Sequence, residues 1–136
     1  MKRNQNVIEA FTEMAPRYET VVDAELSRFW GWSYPSFVTR LAASLPLFGG
    51  GRILDVATGT GSIPQALQSR GAAAARLHGL DITFAMLARA RGLTQQPLPL
   101  VCASAMSMPS PIIPGGQRKK ISLLLYCSGQ YFLSFS

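Results

Sequence analysis

Two carboxylates and a pair of glycines carry most of the chemistry in this sequence. Asp55 stands in the apolar run Arg52-Ile53-Leu54-Asp55-Val56, directly ahead of Ala57-Thr58-Gly59-Thr60-Gly61. A short strand, a glycine-rich turn and a helix form the frame of a nucleotide-type site. The glycines let ligand atoms approach the backbone, and the following helix offers free N–H groups. Three neighbours sharpen this signal. A pyrophosphate in the bend would be repelled by the Asp55 carboxylate, whereas a ligand carrying an ammonium and a sulfonium would be attracted. The third glycine of the dinucleotide fingerprint is absent, and Pro64 stands there. Asp81 ends the next strand pattern, where a carboxylate accepts both hydroxyls of a ribose. The chemistry these residues imply is the binding of a positively charged nucleoside that lacks a diphosphate.

The elements that must position these residues follow from hydrophobic periodicity. Residues 7–18 place Val7, Ala10, Phe11, Met14 and Ala15 on one helical face, with Pro16 expected to end or bend the helix. Residues 19–30 hold Val22, Leu26, Phe29 and Trp30 at helical spacing, and residues 37–45 form a third such pattern with Ser36 as N-cap. Pro46 and Gly49-Gly50-Gly51 break the chain. Strands are expected at 52–56, 76–81 and 98–103. Helices are expected at 62–70, stopped by Gly71, and at 83–91, capped by Thr83 and stopped by Gly92. The alternation of strand and helix predicts an α/β fold with a parallel sheet. Trp30, Trp32 and Tyr34 are read as core between the N-terminal helices rather than as acceptor-pocket lining. Met106 and Met108 are read as gap-filling core. His78, the one histidine, is read as a packed strand side chain rather than a general base.

Ile53-Leu54-Asp55-Val56-Ala57-Thr58-Gly59-Thr60-Gly61 resembles motif I of the class I methyltransferases. Gly79-Leu80-Asp81-Ile82-Thr83 with Met86-Leu87-Ala88-Arg89-Ala90-Arg91 resembles the next motif and its helix. The spacing Phe11…Ala15…Tyr18 resembles the lead-in of the branch that acts in ubiquinone and menaquinone biosynthesis. The resemblance implies a Rossmann-like sheet, part of the class I methyltransferase fold, preceded by N-terminal helices. It implies S-adenosylmethionine (SAM) as cofactor, which also fits the positively charged nucleoside above. The cofactor-binding set it implies is Tyr18, Asp55, Ala57, Thr58, Gly59, Gly61, Asp81, Ile82, Met86, Ser104 and Ala105. Asp55, Gly59 and Gly61 would line the methionine end, Asp81 would hold the ribose and Ile82 would pack on the adenine. Residues 103–109 resemble the third motif, with Ser104 where the family often has an acid that hydrogen-bonds the adenine amino group. Ser62 likewise replaces an acid common in the branch. No catalytic base is assigned and no metal is expected.

On this reading residues 1–48 are a helical lead-in, 49–109 a cofactor-binding βαβαβ core, and 110–136 a tail outside the family pattern. The net charge of +6 is uneven: every acid lies at or before Asp81, and no Asp or Glu follows it. Loss of acids and loss of pattern together suggest a truncated, alternatively spliced or frame-shifted tail, within which Ile121 to Tyr126 can still form a strand. Arg118-Lys119-Lys120 is too short a basic run, without interleaved aromatics, to mark a nucleic-acid site. Cys102 and Cys127 make no disulfide framework or metal spacing. No apolar run is long enough to cross a bilayer and no signal core is present, so a cytoplasmic setting is expected. The implied function is methyl transfer from SAM to a small-molecule or lipid-like acceptor, with homo- or hetero-oligomers left open. The alternatives are a non-catalytic remnant or partner subunit of a methyltransferase, and an NAD-dependent oxidoreductase, which Asp55 and Pro64 disfavour. The acceptor and the atom methylated are not legible in the sequence.

Overall fold

The computed structural model describes residues 2–45, 47, 51–107 and 121–125. The N-terminal part is helical: α1 (Lys2–Met14), α2 (Tyr18–Trp30) and α3 (Tyr34–Ser44). Between α1 and α2, Ala15–Arg17 form a single 3-10 turn. The break falls earlier than the periodicity suggests, because Ala15 precedes Pro16 and a residue before proline avoids the α region. The N-cap of α3 is Ser33 rather than Ser36. Ser33 Oγ accepts the Ser36 N–H at 3.3 Å, and Pro35 sits inside the first turn, where its missing N–H has no intrahelical partner to lose. Asp23 Oδ1 accepts the Tyr34 N–H at 2.7 Å and so ties α2 to the start of α3.

Four strands follow: β1 (Arg52–Val56), β2 (Leu77–Asp81), β3 (Leu100–Cys102) and β4 (Ile121–Leu125). They form a parallel sheet in the order β3-β2-β1-β4, with Asp55 opposite Gly79 and Asp81 opposite Cys102. Helices α4 (Ser62–Ser69) and α5 (Phe84–Leu93) are the crossovers from β1 to β2 and from β2 to β3. The strand order reverses between β1 and β4, and in open parallel sheets such a switch point is where ligands bind, beyond the strands' carboxyl ends. The expected strand within Ile121 to Tyr126 is thus present as β4. Tyr126 itself, with Pro46, Gly49, Gly50, Met108, Pro109, the basic run 118–120 and Cys127, lies outside the described residues.

One core cluster joins Val38, Leu41 and Ala42 of α3 to Ile53 of β1, Ile63 and Leu67 of α4, Ala72, and Leu77 of β2. Each fully buried leucine here contributes about 1.5–3 kcal/mol of apolar transfer energy. Ile53 and Leu77 fix which strand faces meet α3 and α4. By the two-residue alternation of a strand, Asp55 lies on the same face of β1 as Ile53, and Gly79 and Asp81 lie on the same face of β2 as Leu77. Three further expectations fail. Gly92 lies within α5, which runs on to Leu93. Met106 is 93% exposed and fills no core gap. Trp30 is exposed, because α2 turns only Leu26 fully inward, and Trp32 is exposed beyond the helix end, after Gly31 turns the chain.

Candidate functional site

The bend between β1 and α4 is held in conformations that the sequence made available. Gly59 and Gly61 have φ of 55° and 78°, and Ala57 adopts a φ of 59°, an unusual setting for a residue with a Cβ. Gly61 is also the N-cap of α4, and the Gly61 N–H donates to Thr58 O at 2.9 Å. A Cβ on Gly61 would come within 3.3 Å of the Ala90 Cβ, and one on Gly59 within 3.3 Å of the Met86 Cε. The glycines therefore serve two purposes, the positive φ and the close approach of α5 behind the bend. Pro64, in the first turn of α4, loses no hydrogen bond there.

Both predicted acids sit under this bend. Asp81 is 8% exposed and its carboxylate accepts two backbone N–H groups, from Gly59 on Oδ2 and from Thr83 on Oδ1, each at 2.8 Å. It pins the glycine bend to the start of α5, a role the sequence did not announce. Each oxygen keeps a second lone pair for a ligand hydroxyl. Asp55 is 3% exposed, and its Oδ2 accepts the Thr58 hydroxyl at 2.7 Å. Burial pushes its carboxyl from 3.8 up to about 7. The Thr58 hydrogen bond opposes that rise and the nearby Asp81 charge adds to it. Thr58 can lie over β2 because residue 79 has no side chain: a Cβ on Gly79 would stand 2.9 Å from Thr58 Cγ2 and 2.7 Å from Leu100 Cδ2.

Tyr18, Asp55, Ala57 and Thr58 line one small cavity, of about 20 Å³, together with Tyr34, Phe37, Val38, Leu41, Ser62 and Ile63. Asp55 thus faces a cavity beside the bend. Tyr18 reaches over from the start of α2, with its ring 6.4 Å from that of Phe11 and 6.3 Å, edge-on, from that of Tyr34. A larger adjoining cavity of about 480 Å³ lies between α2, α3 and α4, lined by Glu19, Thr20, Asp23, Tyr34, Pro35, Val38, Thr39, Ser62 and Gln65. That volume is in the range of small-molecule sites. Tyr34 and Ser62 border both cavities. Tyr34 thus takes the pocket-lining place that the reading as core set aside, and Ser62 joins it directly after the glycine bend. Glu19 pairs with Arg89 of α5 at 2.8 Å. Burial works to raise the Glu19 carboxyl, but Arg89 and the neighbouring Thr60 hydroxyl outweigh it and hold it below the ordinary carboxylate value.

Met86 is buried behind Gly59. Ile82, Ser104 and Ala105 lie at the carboxyl ends of β2 and β3 and line neither cavity. The Ala103 N–H donates to Asp81 O at 2.9 Å, which brings the Ser104 segment alongside Asp81. Ser104 Oγ accepts the Met106 N–H at 3.2 Å. His78 is half-buried on β2, and burial, aided by the Arg52 charge, holds its imidazole below the ordinary value. It lines neither cavity. Among the described residues no three His, Cys, Asp or Glu side chains converge as a metal site would require.

Residues 53–116 match the family model of a methyltransferase domain, so the match runs past Pro109 to Gly116. The fold is similar to that of a chain in the complex between the Haloferax volcanii Trm112 methyltransferase activator and a proposed methyltransferase. The TM-score is 0.52 at 24% identity, over 73% of this chain and 41% of that one. A SAM-dependent methyltransferase from Archaeoglobus fulgidus is similar with a TM-score of 0.43 at 24% identity, over 61% of this chain and 34% of that one. No curated protein matches the sequence. The chain spans about two fifths or less of the length of these solved structures. The fold is the Rossmann-like α/β arrangement of methyltransferase domains, with N-terminal helices ahead of a parallel sheet.

Proposed function

We propose that this chain is the cofactor-binding part of a SAM-dependent methyltransferase acting on a small-molecule or lipid-like acceptor. The carrying observation is the buried Asp55 facing a small cavity at the glycine bend, its carboxyl raised to about 7 by burial and by the nearby Asp81 charge. An ammonium group supplies a positive partner, and a diphosphate would add to the negative charge. When bound, SAM supplies an activated methyl group. The residues of this chain hold it in place. Asp55 and the bend 57–61 receive the amino-acid end, with Tyr18 closing over it and Met86 supporting the bend from behind. Asp81 accepts the ribose hydroxyls on its remaining lone pairs. Ile82, Ser104 and Ala105, at the ends of β2 and β3, flank the base. Enclosure by α2 and α3 excludes water and aligns donor with acceptor. The kinship with the ubiquinone-type branch rests on Phe11, Ala15 and Tyr18, and the packing of Phe11 on Tyr18 beside the cavity supports it.

Calorimetric titration with S-adenosylhomocysteine and with NAD tests the reading. S-adenosylhomocysteine is expected to bind and NAD is not. Asp81→Ala should weaken S-adenosylhomocysteine at least tenfold, because hydrogen bonds to a charged acceptor contribute about 1.5–3 kcal/mol each. Equal affinity in the variant removes Asp81 from the site, and tighter binding of NAD overturns the assignment. Binding without methyl transfer to any acceptor would favour a non-catalytic partner subunit.

A further inference from the structure

Three aromatic side chains stand at the surface where α2 ends: Phe29 is 64% exposed, Trp30 62% and Trp32 45%. They fall within four consecutive residues around Gly31, whose left-handed φ of 66° turns the chain out of the helix. Two arginines lie against them. The Arg28 guanidinium carbon is 5.3 Å from the Phe29 ring centroid, and that of Arg40, from α3, is 5.1 Å from the Trp32 ring. The acids of α2 do not cancel this charge equally. Asp23 is turned to the Tyr34 N–H, and Glu19 to Arg89. Glu25, one turn before Arg28, is the acid left nearby.

Exposed aromatics alone would not say what covers them. The arginines stacked on their faces do, because they add a positive charge to the same apolar corner. Tryptophan and phenylalanine favour the boundary between headgroups and acyl chains, and each arginine near an anionic leaflet adds attraction. We propose that this corner docks the protein on an anionic lipid bilayer. Phe29, Trp30 and Trp32 enter the headgroup layer while Arg28 and Arg40 meet lipid phosphates. Among the described residues no helix is long and apolar enough to cross a membrane, and the proposed contact is made by this corner. The inference does not depend on the cofactor reading.

The chain has two tryptophans, and both are in the patch, so intrinsic emission reports on it directly. The protein is mixed with vesicles of phosphatidylcholine containing phosphatidylserine, and with phosphatidylcholine alone. A blue shift and co-sedimentation with the anionic vesicles, reversed by high salt, are expected. Arg28→Glu with Arg40→Glu should lower partitioning tenfold or more, and Phe29→Ser with Trp30→Ser should abolish co-sedimentation, with far-ultraviolet circular dichroism unchanged in both. No shift on anionic vesicles overturns the proposal, as does an equal response to neutral ones. Emission already blue-shifted without lipid also overturns it: if concentration-dependent, a second copy covers the patch, and otherwise the chain itself does.

Discussion

Replacing Asp55 by asparagine isolates the electrostatic cost on which the cofactor site is built. The native carboxyl keeps its proton up to about pH 7, whereas an unfolded one loses it near 3.8. Between those values the native state binds more protons than the unfolded state, so stability falls as pH rises through this window and levels off above it. At about 1.4 kcal/mol per tenfold change in proton affinity, the displacement amounts to about 4 kcal/mol. Asparagine preserves the oxygen that accepts from Thr58 but cannot ionise. Its amide N–H₂ adds a desolvation cost of about 1–3 kcal/mol that is the same at every pH. Urea denaturation of both proteins from pH 4 to 8 should therefore give curves that diverge upward. Relative to its value at pH 4, the variant gains up to about 4 kcal/mol over the wild type by pH 8. Other titrating groups are common to both chains and cancel in the difference. Parallel curves, or a gap that widens toward acid, would refute the claim that Asp55 is held against its charge.

Binding of S-adenosylhomocysteine should depend on the same carboxyl. Its ammonium selects ionised Asp55, so calorimetric affinity should fall about tenfold from pH 8 to pH 6, with proton release that Asp55→Asn abolishes. Gly79→Ala should cost about 1–3 kcal/mol in chemical denaturation, since the added methyl meets Thr58 and Leu100. Pushing Thr58 away from Asp55 should also raise the Asp55 titration midpoint, read from the carboxyl carbon by NMR; an unchanged midpoint would show that Gly79 does not seat Thr58. Arg89→Ala removes a partly exposed ion pair and should change stability by less than about 1 kcal/mol. A larger loss of denaturation midpoint would mean that the pair anchors α2 to α5.

What the amino-acid order determined by itself is the local part of this protein. Arg52–Val56 reads as a strand from its apolar run, Gly59 and Gly61 read as a bend, and the break at Pro16 follows from proline geometry. These features depend on neighbours a few residues apart. The tertiary structure alone decided how the two acids differ. Asp81 accepts the N–H groups of Gly59, 22 residues away, and of Thr83, whereas Asp55 accepts the Thr58 hydroxyl. It also decided that Gly79 makes room for Thr58, that Tyr34 joins the cavity wall, and that Trp30 faces outward although its helical spacing suited a core. Periodicity marks which residues share a stripe. Whether a stripe is buried depends on which other element packs against it, a long-range contact that no local pattern encodes.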